Sequence, residues 1–206
     1  MTVLLIVLII VVLIVLYLAY RFNHLIRLRT RTQEAWSDID VELKRRYDLI
    51  PNLVNTVQGY AAHERGVFEA VTAARTNALA ASKTGDPAAM AGAEDALTST
   101  TRQLLAVAEN YPQLKASELF LNLQEQLTTT EDKVEFSRRF YNGNVRDFNT
   151  GLQTFPTNIY GRILGFQPFA FFEVADAERQ APTVSFTPAP TVPPAAAAGA
   201  PPPPPS

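Results

Sequence analysis

The sequence predicts an all-α protein in which an N-terminal transmembrane helix continues into an antiparallel bundle of long helices, with a disordered C-terminal tail. Three observations lead to this fold class. Residues 3–20 carry no charge. Apolar residues then recur at helical spacing up to residue 155, without the alternation typical of strands. Ten of the 15 prolines follow residue 181, where they prevent a packed core. The predicted divisions are an anchor at 1–20, a helical domain at 21–173 that includes an aromatic segment at 155–173, and a tail at 174–206.

The first twenty residues have the composition of a membrane span. As a helix, Val3–Tyr20 is about 27 Å long, close to the thickness of the hydrocarbon core. Tyr17 and Tyr20 fall where an interfacial aromatic belt lies, and Arg21 follows directly. The competing interpretation is a cleaved signal peptide. However, no basic side chain precedes the apolar run, and Leu18-Ala19-Tyr20 is not a small-x-small cleavage site. We therefore expect an uncleaved single-pass anchor.

The charges that flank the span predict its orientation. Arg21, Arg27, Arg29 and Arg31 follow the apolar run closely, and no lysine or arginine precedes it. Basic residues remain on the cytoplasmic side of a membrane. We therefore expect the N-terminus outside and the helical domain in the cytoplasm.

Two helices are predicted between the anchor and Gly85. The first continues out of the membrane and ends near Tyr47, because Asp48 is a good N-cap. Pro51 would then occupy the first turn of the second helix, where no backbone donor is needed. This second helix should close at Gly85, a residue that tolerates the left-handed conformation of a helix terminus.

Two further helices complete the predicted bundle. Asp86 followed by Pro87 is typical of a helix start, with the cap preceding proline at the first helical position. The third helix carries apolar residues as far as Tyr111. The fourth runs from about Ser117 to Phe155 with heptad-like apolar spacing, as in a coiled coil. Long helices joined by short connections favour an antiparallel bundle.

The composition argues against several kinds of functional site. The chain has no cysteine and two histidines, His24 and His63. Neither histidine has glutamate three positions before it, as a di-iron bundle requires, and no His-Glu-x-x-His motif is present. A formal net charge of −2 argues against nucleic acid as a partner. We therefore predict a non-enzymatic protein with no catalytic residue, cofactor or metal.

Polar residues on the first and fourth helices are candidates for bundle specificity or for a partner surface. Arg45 and Arg46 lie near the predicted end of the first helix, where they either complement the helix dipole or dock an acidic partner. Antiparallel packing could pair Asp40 with Arg139 or Arg146, and such a buried pair would specify register more than it stabilises. The candidates are Trp36, Asp40, Arg45, Arg46, Tyr47, Asp48, Pro51, Asn52, Arg139, Tyr141, Asn142 and Arg146.

Two segments near the C-terminus have open roles. The aromatic segment at 155–173 either lies in the membrane interface or folds back to cap the bundle core. Its candidate interfacial residues are Tyr160, Phe166, Phe169, Phe171 and Phe172. The proline-rich tail at 174–206 is either a passive spacer or a ligand for a proline-reading domain.

Several motifs together resemble the LemA family of bacterial membrane proteins, over about residues 3–175. The most specific motif contains Arg45-Arg46-Tyr47-Asp48-Leu49-Ile50-Pro51-Asn52-Leu53-Val54. The others are Glu34-Ala35-Trp36-Ser37-Asp38-Ile39-Asp40-Val41, Gly59-Tyr60-Ala61-Ala62-His63-Glu64, Tyr111-Pro112-Gln113-Leu114-Lys115-Ala116 and Arg139-Phe140-Tyr141-Asn142. The resemblance implies a single span in the bacterial inner membrane, a bundle of long helices and no established enzymatic activity. Some relatives are associated with building specialised membrane compartments.

These inferences predict a membrane-associated scaffold or organiser. It would act through protein–protein contacts, self-association included, and through contacts with membrane lipid. The alternative is an adaptor or regulator of another membrane protein, such as a protease or a transporter.

Overall fold

The computed structural model describes residues 1–173, and the all-α prediction is confirmed there. The predicted tail lies outside the described residues. Within them the structure contains helices and no strand. The helices are α1 (Thr2–Gln58), α2 (Arg65–Thr84), α3 (Pro87–Ala108), α4 (Pro112–Lys115), α5 (Glu118–Gln153) and α6 (Thr157–Tyr160).

Helix α1 is uninterrupted, so the helix end predicted near Tyr47 is wrong. Pro51 lies inside α1 and has no N–H to donate to the carbonyl of Tyr47, four residues earlier. That carbonyl instead accepts a hydrogen bond from Nε of Arg75 in α2, at 2.7 Å. Ile50 and Leu53 on either side are buried in the core. Tertiary packing therefore keeps the proline within the helix, and the chain turns later, at residues 59–64.

The turn between α2 and α3 forms as the sequence predicts. Gly85 has a φ of 68°, in the left-handed region that favours glycine. Asp86 then caps α3, because its carboxylate accepts a hydrogen bond from the N–H of Ala88 at 3.0 Å. Pro87 occupies the first turn, where its missing donor has no consequence.

Helices α1 and α5 pack against each other as a long antiparallel pair. Arg46 of α1 meets Glu131 of α5, and Trp36 meets Tyr141. Nearer the N-terminus, Arg21 meets Thr154. Residue numbers thus rise on α1 as they fall on α5, which shows that the two helices run in opposite directions along their shared length.

The core consists of two clusters because α2 and α3 are much shorter than α1 and α5. The larger cluster packs α2 and α3 against the part of α1 between Ala35 and Val57. The smaller cluster, nearer the N-terminus of α1, joins Leu25 to Phe148 and Leu152 of α5. Its remaining buried member, Phe166, comes from the segment that follows α6.

One helix within residues 1–173, α1, is long and apolar enough to cross a membrane. Its most apolar window has a mean hydropathy of 3.4, and no part of that window is buried against the rest of the protein. A core helix of similar composition would be covered by its neighbours, since exposing so much apolar surface to water is unfavourable. Exposure of the whole window is therefore consistent with a lipid environment.

Candidate functional site

A buried group of polar side chains joins α1, α3 and α5. The guanidinium of Arg46 donates to Oε2 of Glu94 at 2.9 Å and to Oγ1 of Thr98 at 2.8 Å. It also donates to Oε1 of Glu131 at 3.1 Å. The hydroxyl of Tyr47 donates to the second carboxylate oxygen of Glu94. We call these five residues the Arg46 cluster; Arg46 and Glu94 are only 2% and 3% exposed.

Burial dominates the electrostatics of the Arg46 cluster. Desolvation raises the pKa of the Glu94 carboxyl, although the hydrogen bond from Tyr47 and the charge of Arg46 oppose that shift. Burial and the hydrogen bond to Glu94 raise the pKa of the Tyr47 phenol. Buried charges cost several kcal/mol each unless they are paired with good geometry. The cluster links three helices through side-chain hydrogen bonds and ion pairs, and the cost of desolvation offsets part of what these contacts contribute to stability.

Arg45 and Arg46, which were predicted to share one role, have different surroundings in the structure. Arg46 lies well inside α1 and not at a helix end, so the predicted role in complementing a helix dipole is wrong. Arg45 is exposed to solvent. Within residues 1–173 the guanidinium of Arg45 forms no ion pair.

The predicted pairing of Asp40 with Arg139 or Arg146 is also wrong. Arg139 pairs with Glu135 of its own helix at 3.0 Å. Asp40 and Arg146 are exposed, and neither forms an ion pair in the described part of the chain. The ion pairs between α1 and α5 are Arg46 with Glu131 at 3.1 Å and Glu42 with Lys133 at 4.0 Å.

Residues 166–172, which we call the strap, are bound along α5 by two asparagines. The side chain of Asn149 accepts from the N–H of Phe169 at 3.0 Å and donates to its carbonyl at 2.9 Å. Asn142 does the same for Phe172, at 2.8 and 3.2 Å. The asparagines are seven residues apart, so they lie on one face of α5, two turns from each other. Each amide satisfies both backbone groups of one strap residue, as a neighbouring β-strand would.

Tyr141 is a third side chain of α5 that hydrogen-bonds to the strap. Its hydroxyl donates to the carbonyl of Ala170 at 2.9 Å. Burial raises the pKa of this phenol to about 12, so it remains a neutral donor at physiological pH. Tyr141 and Asn142, both candidates from the sequence, thus hold the C-terminal segment in place.

The strap's aromatic side chains fill the groove that α2 and α3 leave uncovered. Phe166 packs edge-on against Phe22 of α1, with ring centroids 6.0 Å apart. Phe172 lies between Trp36, at 6.0 Å, and the guanidinium of Arg138, at 5.3 Å from its ring centroid. Both Phe166 and Phe172 are buried. The burial of these two side chains agrees with the capping alternative, because an interfacial role requires exposed side chains.

The other predicted interfacial residues occupy different surroundings. Phe169 is half-buried, with its ring 5.1 Å from that of Phe148. Tyr160 is half-buried and Phe171 is exposed. Tyr17 and Tyr20 are exposed at the end of the apolar window.

Arg21 connects the anchor to the end of α5. Its Nη2 donates to Oγ1 of Thr154 at 3.1 Å. Thr154 directly follows α5, so α5 returns to the level at which the apolar part of α1 ends. The end of the apolar window and the end of α5 therefore meet at one point.

The remaining candidates lie on the solvent side of α1. Arg45, Asp48 and Asn52 are exposed and are spaced by three and four residues, so they share a face of the helix. Pro51 is half-buried. We call the continuous exposed stripe to which these three belong the α1 outer face; it consists of Asp38, Val41, Arg45, Asp48, Asn52 and Asn55.

Sequence reasoning missed Glu94, Glu131 and Asn149. Glu94 had a detectable signal, because it falls between Met90 and Leu97 at core spacing in α3. Asn149 had a weaker one, its spacing of seven from Asn142. In the described part of the chain, no group of three or more histidine, cysteine or acidic side chains is placed to hold a metal ion.

Comparison with known proteins is consistent with these features. A profile of the LemA family matches residues 35–186. Magnetosome proteins MamQ 1 and MamQ 2 of Paramagnetospirillum magneticum are each 25% identical over 179 residues, covering 76% of this chain and 66% of theirs. Protein LemA of Metamycoplasma hominis is 28% identical over 165 residues, covering 79% of this chain and 74% of its own.

The extent of these matches identifies the family. The chain spans slightly less than two thirds, 66%, of the length of the MamQ relatives. The family profile, however, includes the Arg46 cluster, both strap asparagines and the strap itself. Because the profile covers well over half of the sequence, the chain belongs to the LemA family.

Proposed function

We propose that this chain is a non-enzymatic scaffold that holds a helical bundle rigidly at a membrane surface. The observation that carries the proposal is the continuity of α1. One helix contains both the apolar window and the buried core residues from Leu25 to Val57. Beyond Tyr20 it extends about 57 Å at 1.5 Å per residue. The MamQ relatives are named for the magnetosome and not for a reaction, which supports the non-enzymatic part of the proposal.

The α1 outer face is the surface that we propose for protein contacts. In the LemA motif, Arg46 and Tyr47 are used for internal packing, whereas Arg45, Asp48 and Asn52 face solvent. Neither Arg45 nor Asp48 forms an ion pair within the described residues. A mixed row of charges and amides suits a polar protein surface better than lipid or nucleic acid. If the protein is a scaffold, the partner at this surface is a second copy of the chain. If it is an adaptor, the partner is another membrane protein.

Photo-crosslinking in the native cell tests this surface. With a photoreactive residue at Asp48, we expect a discrete covalent product that contains this chain. Ser99, which is exposed on α3, provides the matched control and should give none. A product of two copies supports self-association, and a product with a membrane protease or transporter supports the adaptor role. Absence of any product at Asp48, or an equal yield at Ser99, would contradict the proposal.

For orientation, we propose that the bundle is cytoplasmic and the N-terminus lies outside the inner membrane. The support is the arginine cluster at 21–31, since basic residues flank the cytoplasmic end of a span. The chain has no native cysteine, so a single Ser99→Cys variant gives an unambiguous signal. A membrane-impermeant maleimide should label it only after the cells are opened. Labelling in intact cells would reverse the orientation.

A further inference from the structure

We propose that residues 155–165, the loop that joins α5 to the strap and includes the short helix α6, insert into the lipid interface and form a second membrane contact beside the anchor. This inference rests on the proposed attachment of α1 to a membrane. It names the partner of the loop as the bilayer surface on the same side as the bundle.

The loop exposes an unusual number of large apolar side chains. Phe155 is 72% exposed, Ile159 61%, Ile163 81% and Leu164 54%. Single exposed apolar residues are common on soluble proteins, but a cluster within ten residues marks an interaction surface. The contrast with the adjoining strap is sharp, because Phe166 is buried only two residues after Leu164.

Both ends of the loop are fixed at the level where α1 leaves the apolar window. At one end, Thr154 accepts the hydrogen bond from Arg21, the residue after Tyr20. At the other end, Phe166 packs against Phe22, with ring centroids 6.0 Å apart. A loop attached on both sides at this level lies beside the span, where the lipid surface is necessarily present. This continuity with the anchor selects lipid over a soluble partner.

The charge of the loop also suits a bilayer surface. No aspartate or glutamate occurs between Asp147 and Glu173, so nothing in this stretch repels anionic lipid. The single cation there is Arg162, whose guanidinium is exposed and forms no hydrogen bond or ion pair in the described part of the chain. It directly precedes Ile163 and Leu164. Apolar side chains beside a basic one are typical of interfacial segments.

A second contact changes what the anchor alone can do. A single helix fixes the distance of the bundle from the bilayer but leaves the bundle free to tilt about the point where the helix leaves the membrane. An inserted loop on one side of α1 restricts this tilt. The α1 outer face would then keep a fixed direction relative to the membrane plane.

Spin-label accessibility tests the insertion in the full-length protein. The Ile163→Cys variant is labelled with a nitroxide and reconstituted in vesicles of phosphatidylethanolamine and phosphatidylglycerol. Collisions with oxygen, which concentrates in lipid, are compared with collisions with a water-soluble nickel complex. Val12→Cys in the apolar window is the lipid control, and Ser99→Cys on α3 is the aqueous control.

We expect the label at Ile163 to lose most of the nickel accessibility seen at Ser99 while it retains oxygen accessibility like that at Val12. A label at Ile163 that matches Ser99 overturns the inference. A label shielded from both reagents also overturns it, because a protein would then cover the loop. If Val12 itself reads as aqueous, the anchor and the proposed function fail together. If Val12 reads as lipid and Ile163 as water, the second contact alone fails.

Discussion

Replacing Arg46 by methionine should lower the free energy of unfolding by about 3–5 kcal/mol, because it leaves one member of a buried ion pair without its partner. Glu94 would lose the guanidinium at 2.9 Å in a site where water has little access. Thr98 and Glu131 would lose their hydrogen bonds from the same side chain. For a domain of this size, the loss corresponds to a fall in Tm of about 10 °C.

Thermal unfolding of the full-length protein in detergent, followed by far-ultraviolet circular dichroism, measures this effect. Arg45→Met is the matched control, since it makes the same chemical change at the preceding, exposed position. Its free energy of unfolding should change by no more than about 0.5 kcal/mol, as is typical of surface substitutions. Equal effects of the two changes would show that the Arg46 cluster does not have the role assigned to it.

A combined variant tests whether the buried ion pair stabilises the bundle or only specifies how its helices align. Arg46→Met, Tyr47→Phe and Glu94→Leu together remove every buried charge of the pair and leave side chains of similar shape. Buried ion pairs replaced in this way often leave stability unchanged or improved. We therefore expect the combined variant to recover most of the stability lost in Arg46→Met. A further loss would mean that the ion pair itself stabilises the bundle.

Replacing Phe172 by alanine should cost about 3–5 kcal/mol, as is usual for a fully buried phenylalanine. Its side chain is 0% exposed and lies between Trp36 and Arg138. The loss should also loosen the end of the strap, although the asparagine hydrogen bonds to the backbone remain available. The same thermal unfolding experiment gives the size of the change.

Trp36 provides a local readout for Phe172. It is the single tryptophan of the chain, and its ring lies 6.0 Å from that of Phe172. In Phe172→Ala, its fluorescence should shift to longer wavelength as water reaches the indole. Phe171→Ala is the control, since that side chain is 39% exposed and should cost less than about 1 kcal/mol. Unchanged emission in Phe172→Ala would contradict the packing described for the strap.

Local sequence signals were enough to predict the turn between α2 and α3. The end of α1 was predicted wrongly because a contact with a distant residue determines it. Gly85, Asp86 and Pro87 determine their turn through their own backbone preferences, which sequence shows directly. Pro51 is a helix breaker by the same local rules, but Arg75 supplies the carbonyl of Tyr47 with the hydrogen bond that the proline cannot make. This compensation depends on Arg75, 28 positions after Tyr47, and therefore leaves no local pattern in the sequence around Pro51.

The wrongly predicted end of the first helix also made the position of the strap hard to predict. A second helix starting near Asp48 would have been long enough to cover much of the α1–α5 pair. The actual α2 has 20 residues beside the 36 of α5, so a groove remains open next to the anchor. The strap fills that groove with Phe166 and Phe172. Composition alone does not distinguish aromatic residues that meet lipid from those that fill a groove, because the choice depends on the lengths of other helices.

The partner of the buried arginine was unpredictable for a related reason. The sequence presented several acids that an arginine on α1 could meet, and the prediction instead paired Asp40 of α1 with Arg139 or Arg146 of α5. The observed partner, Glu94, comes from α3, which packs on α1 only where the α2–α3 pair extends far enough. The pairing of Arg46 with Glu94 therefore depends on where α3 packs on α1, which the pattern of charges along the chain does not reveal.

Hydrogen–deuterium exchange across the membrane exit tests the central claim, that α1 passes from the membrane into the bundle without a joint. The full-length protein in vesicles is exchanged, and the amides of residues 21–35 are compared with those of residues 36–57 and of the turn at 59–64. Helical amides exchange slowly unless the helix opens locally. We predict that residues 21–35 exchange as slowly as residues 36–57. Exchange as fast as that of the turn would show a flexible joint and would contradict a rigidly held bundle.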